Sequence, residues 1–86
     1  PHGDTEGQFA YSKTLAASIV SVDYAMNLVV VKTYPGMAQA VAAGLDAMPL
    51  PSVLGCVAGD DTLFLAIRDL SAAAQVAVDI RKMAGK

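Results

Sequence analysis

Two apolar runs of strand length, SVLGCVAG (52–59) and LFLAI (63–67), are held apart by only Asp60-Asp61-Thr62. So short a connection leaves them one way to pair. Parallel neighbours need a crossover of about a dozen residues, so these runs form an antiparallel hairpin. Gly59 and the two aspartates suit the turn. Upstream, Ser18–Asp23 reads as a strand with some alternation, and the KTLAA before it fits strand or helix. Tyr24–Asn27 reads as a turn. Leu28–Thr33 is a β-branched run whose near-continuous apolarity predicts cover on both faces.

The stretch YPGMAQAVAAGLDAMP carries a helical period. Pro35 suits a first helical turn, where a missing N–H costs nothing, and Pro49 and Pro51 end the helix. Met37, Ala38, Val41, Leu45 and Met48 share one face, and Gln39, Ala43 and Asp46 fall opposite. Periodicity alone makes Gln39 and Asp46 a solvated stripe. Ser71 is the expected cap of a second helix, with Ala72, Val76, Ile80 and Met83 on its apolar face. Gln75, Asp79 and Lys82 lie to one side of it, and Arg81 and Lys82 stand near the negative end of its dipole. The order is ββαββα, an α/β chain of the α+β two-layer kind, with no internal repeat. Residues 1–12 read as a tail or a linker, and 13–86 as a single domain. The start at Pro1 rather than Met is consistent with a fragment.

A domain of 86 residues buries roughly 60% of the surface its unfolded chain exposes. Here 55% of residues are hydrophobic before the 7 glycines are counted, against about 45–50% with glycine included in ordinary domains. The surplus predicts an oligomer, because contiguous exposed apolar surface marks interfaces. A net charge of −2 and a pI of about 4.9 exclude the basic footprint of a DNA-binding or acidic-membrane-binding surface on this chain. One cysteine excludes an intrachain disulfide and fits a reducing, cytoplasmic setting. No apolar run reaches the roughly 18–20 residues of a membrane span, and no signal peptide is visible.

The doubled carboxylate at Asp60-Asp61 admits several readings. It serves as a solvated hairpin turn; or, with Asp46, it offers three oxygen ligands to a cation such as Mg²⁺; or it clamps an organic cation. Gly-Asp-Asp between strands also occurs in viral-type RNA polymerases, but those need a far longer chain. An aspartic protease needs Asp-Thr-Gly, and Leu63 follows Thr62 here. His2 is the sole histidine and lies in the tail. Cys56, in a strand with no base beside it, reads as an inert thiol, and Ser52 and Thr62 also lack a base. The chain reads as a binding module rather than an enzyme. A guanidinium's planar donors match paired carboxylates, and the free N–H groups near Gln39 suit a ligand carboxylate. A zwitterionic amino acid with a cationic side chain fits both ends. An apolar oligomerisation module without a ligand explains the composition equally well, but not the paired aspartates with Gln39 and Asp46 on the non-core helix face. A pterin dehydratase-like enzyme would share the general fold but relies on histidines.

With the strand ending at Thr33, then Pro35-Gly36, Ala38-Gln39, Asp46, Gly55 and Ala58-Gly59-Asp60-Asp61-Thr62, the chain from about Ser18 onward resembles the C-terminal domain of bacterial arginine repressors. The resemblance implies a four-stranded antiparallel sheet with two helices on one face, assembled as trimers that stack into a hexamer. It implies L-arginine, acting as corepressor rather than cofactor, bound between the trimers. It also implies operator DNA held by a separate winged helix-turn-helix domain that this chain lacks. Gln39, Asp46, Asp60 and Asp61 match the family's ligand-contacting positions. Cys56 and Ala58 match pocket-lining positions that act mostly through backbone, and Thr62 adjoins them. Cys56 stands where Thr is common, and Tyr34 occupies a variable place on the rim.

Overall fold

The computed structural model describes residues 15–48 and 50–86. They form β1 (Ile19–Ala25), β2 (Leu28–Thr33), α1 (Ala38–Asp46), β3 (Val53–Ala58), β4 (Thr62–Ile67) and α2 (Leu70–Met83). The expected tail at 1–12, with His2, and the helix-ending Pro49 lie outside the described residues. The ββαββα order stands, and all pairings are antiparallel in the spatial order β1-β2-β4-β3. Leu15 and Ala16 are helical, which resolves that part of the ambiguous KTLAA stretch.

One apolar cluster joins the sheet to both helices. Val29, Val31, Leu63, Leu65 and Ile67 are fully buried against Val41 and Leu45 of α1 and Val76, Ala77 and Ile80 of α2. Each large side chain so buried contributes about 1.5–3 kcal/mol relative to exposure. Both helices therefore lie on the same sheet face, and this corrects the expectation that β2 is covered on both sides. Its alternate residues Leu28 and Val30 are only half-buried. On that uncovered face Val30 stands beside Phe64 and Phe64 beside Val57, with Phe64 48% and Val57 76% exposed.

Local chemistry moves three boundaries. β1 runs on through Tyr24 and Ala25, because Ala25 pairs with Leu28 and leaves a two-residue turn, Met26-Asn27. Met26 takes the left-handed φ of 55°. The Asn27 carbonyl accepts from the Ile67 N–H at 2.9 Å, and the Asn27 amide donates to the Ile67 carbonyl at 3.3 Å. Pro35 lies outside α1. With Gly36 at φ 82° it forms a type II turn closed by the Met37 N–H on the Tyr34 carbonyl at 3.1 Å. Asp69, not Ser71, caps α2. Its extended backbone lets the carboxylate accept from the Ala72 N–H at 2.9 Å, and the Ser71 hydroxyl donates to the same oxygen. Arg81 and Lys82 do occupy the last turn of α2.

Candidate functional site

The Gly59–Thr62 turn is bolted to the start of α1 by main-chain bonds. Met37, the N-cap of α1, offers no side-chain bond. The Asp60 carbonyl takes that place, accepting from the Gly36 N–H at 3.0 Å and the Ala38 N–H at 3.2 Å. The Asp61 carbonyl accepts from the Thr33 N–H at 2.8 Å, and the Gly59 N–H donates to the Thr62 carbonyl at 2.8 Å. The Ala38 N–H at the start of α1 is thus already engaged inside the fold. No residue type signals this arrangement in the sequence, since carbonyls do the work.

With their main chains engaged inward, Asp60 and Asp61 are exposed. The Thr62 hydroxyl donates to Asp61 Oδ1 at 3.0 Å and orients that carboxylate. The Asp60 carboxylate has no partner among the described residues. Among the described residues no three acidic, histidine or cysteine side chains come together to hold an ion.

A second acidic point lies at the other end of α1. Asp46 is exposed at the helix C-terminus, where the dipole is negative and no basic residue stands in the last turn. A carboxylate there is disfavoured by the helix dipole. The Cys56 thiol donates to Asp46 Oδ1 at 3.6 Å and sits 3.9 Å from the Ala42 carbonyl. Burial pushes the thiol pKa up, and the Asp46 charge and hydrogen bond push it the same way. Gln39 is exposed in the first turn of α1. Seven residues separate it from Asp46, about 10 Å along the axis.

These residues share one border of the molecule. β3 is an edge strand, and α1 runs antiparallel to it, with Ala38 at the Asp60 turn and Asp46 at Cys56. The bond from Gly59 to Thr62 sets the alternation of the hairpin. Residues 57 and 64 exchange bonds, so the main-chain groups of Cys56 and Ala58 point away from β4. The fold thus brings Asp46 to Cys56, and Asp60, Asp61 and Thr62 to the start of α1 beside Gln39. The two groups stand at opposite ends of that helix. Together they make an open, acidic border with free backbone donors and acceptors.

The family model described as arginine repressor, C-terminal domain, matches residues 15–82. Curated relatives called arginine repressor also match the chain. The one from Alkaliphilus oremlandii (strain OhILAs) is 54% identical over 66% of this chain and 38% of its own length. The one from Lachnoclostridium phytofermentans is 52% identical over 67% of this chain and 38% of its own. The one from Acetivibrio thermocellus is 46% identical over 78% of this chain and 44% of its own. The chain spans less than half the length of these relatives. Among the described residues no helix is long and apolar enough to cross a membrane.

Proposed function

The chain belongs to the arginine repressor C-terminal domain family, and from that premise we propose that residues 13–86 sense L-arginine and assemble the subunits of a cytoplasmic transcriptional regulator of arginine metabolism. Residues 1–12 then link this domain to a DNA-binding domain of the whole protein, through which operator DNA is held. The role is one of binding, with no chemical step.

The observation that carries the reading is the Asp60-Asp61 turn. Its main chain is consumed by α1 and β2 while its carboxylates are left outward, one of them oriented by Thr62. A turn meant only to reverse the chain needs neither the doubled charge nor the orientation. In the proposed assembly the uncovered sheet face with Val30, Phe64 and Val57 supports trimer packing, and the acidic borders of two trimers face each other. Like charges brought together there repel, and each arginine guanidinium inserted between them relieves the repulsion by paired hydrogen bonds. Gln39 and Asp46 hold the other end of the ligand, with the main chain of Cys56 and Ala58 lining the site. A ligand that binds only the joined trimers shifts assembly toward the hexamer by mass action. In the whole protein, arginine affinity and DNA affinity are then reciprocally coupled.

Sedimentation velocity with and without millimolar L-arginine tests this. The expected result is a shift from trimer to hexamer, or a hexamer that resists dilution better with arginine present. A monomer under both conditions, or a dilution profile indifferent to arginine, overturns it. Lysine, with a point-like ammonium in place of the planar fork, is expected to be much weaker in the same assay.

A further inference from the structure

The sheet has a second edge, and it is built differently. β1 is its longest strand, seven residues against six in each of the others. It reads IVSVDYA, with Val20 and Tyr24 exposed. A long edge strand rich in β-formers, without Pro or Lys, is a template for pairing with another chain. The groups available for such pairing follow from the register. Leu63 and Val31 exchange main-chain bonds, so Val22, opposite Val31, turns its own main chain away from β2. Tyr24, two residues on, does the same. Of the four outward groups of these two residues, the Val22 carbonyl and the Tyr24 N–H are one acceptor and one donor that an added strand would use.

Both are already taken by charged side chains. Arg81, delivered by the last turn of α2, donates to the Val22 carbonyl from Nε at 3.0 Å and from Nη2 at 2.7 Å. The Asp23 carboxylate accepts from the Tyr24 N–H at 2.8 Å. Arg81 Nη2 and Asp23 Oδ1 stand 4.0 Å apart. With the Asp23 side chain 84% exposed, that ion pair adds little by itself. Its consequence is occupancy: the two side chains hold each other over the groups they cover.

We infer that Arg81 and Asp23 form a clasp that closes the β1 edge to strand addition by a second copy of this chain, leaving the open edge of the sheet at β3 beside Asp46, Asp60 and Asp61. Arg81 reaches this edge from the helix side, whereas Asp23 stands opposite Val30 at the margin of the apolar face, so Arg81→Ala is the variant that leaves the apolar face itself unchanged. The inference stands independently of the ligand, since no residue of the acidic border takes part.

The test is a dilution series by sedimentation velocity, without arginine, on the wild-type chain and on Arg81→Ala, Arg81→Lys, Asp23→Ala and the double variant Arg81→Ala/Tyr24→Pro. In Arg81→Ala, species larger than the wild-type assembly are expected at about tenfold lower protein concentration, the scale of one freed charged hydrogen bond. Asp23→Ala and Arg81→Lys should move the same way by less, the first freeing one donor and the second losing the fork. Proline at position 24 removes the outward N–H without touching the bonds to β2, so the double variant should return to the wild-type distribution. A folded Arg81→Ala that matches wild type overturns the clasp. So do large species that persist in the double variant. Should Arg81→Ala fail to fold, an unchanged distribution in Asp23→Ala and Arg81→Lys overturns it equally.

Discussion

The two edges of this four-stranded sheet are opposites. At β1 the outward Val22 carbonyl and Tyr24 N–H are covered by a guanidinium and a carboxylate that also face each other. At β3 the outward groups of Cys56 and Ala58 are left open, and Asp46, Asp60 and Asp61 nearby form no ion pair among the described residues, although Lys32 stands opposite Thr62. Paired charge covers groups at one edge, whereas the unpaired carboxylates at the other are the proposed arginine site. Both edges share one core, so the difference is not one of stability. It lies in whether each edge's polar groups find their partners inside the chain or outside it.

The largest effect should abolish the contrast altogether. Leu65 lies fully buried on β4, between the two halves of the sheet. Leu65→Ala is expected to cost about 4 kcal/mol through lost burial and the cavity left behind. Urea unfolding should show β1 and β3 probes shifting together; an edge that survives alone would show the core to be two units.

A change at the open edge should leave the fold intact and cost binding. Asp61→Asn or Asp60→Asn is expected to weaken arginine binding by about 2 kcal/mol or more, by removing one member of a charge pair desolvated in the assembly. Calorimetry reads this directly, and wild-type affinity in the double variant would sink the cation clamp.

The closed edge depends on α2 to carry Arg81. Asp69→Ala removes the helix cap at the far end of α2 and should cost about 1 kcal/mol. The thermal midpoint should fall while the Tyr24 amide stays protected from hydrogen exchange. Loss of that protection would mean that the clasp and the cap act as one unit.

The smallest effect concerns Cys56. Its thiol pKa is raised in the folded chain, first by burial and then by Asp46. The raised pKa disfavours the thiolate, so the stability it contributes is full below the unfolded thiol pKa and fades as pH rises through the folded one. Alkylation near pH 8 should therefore be slower than in unfolded chain. Asp46→Asn should speed it by removing a repelling charge and an acceptor. A rate indifferent to that change would show that burial alone governs the thiol.

Much of the fold is legible in the chain itself. The strand at Leu28–Thr33 and the β-hairpin at 52–67 announce themselves by β-branched runs and a turn too short for any crossover. Both helices follow from their apolar periods. The misreadings fall where one local signal competes with another. Ser71 is a good cap residue, but Asp69 two residues earlier has the extended backbone and the stronger acceptor. Pro35 suits a first helical turn, but Gly36 after it supplies the positive φ of a type II turn. The candidate residues stood out because charge is scarce in so apolar a chain, and the resemblance sorted them. Their partners did not stand out, because Asp60 and Asp61 engage α1 and β2 through carbonyls, which every residue carries.

The sequence by itself determined the ββαββα order, the apolar faces of both helices and the isolated acidic pair, because these depend on neighbours a few residues apart. Only the tertiary structure decided that both helices cover the same sheet face, that the Asp60 carbonyl caps α1, and that Arg81 reaches Val22, 59 residues away. Those outcomes rest on register and on where unpaired main-chain groups point. A pattern of side-chain types carries no record of either until the strands are in place.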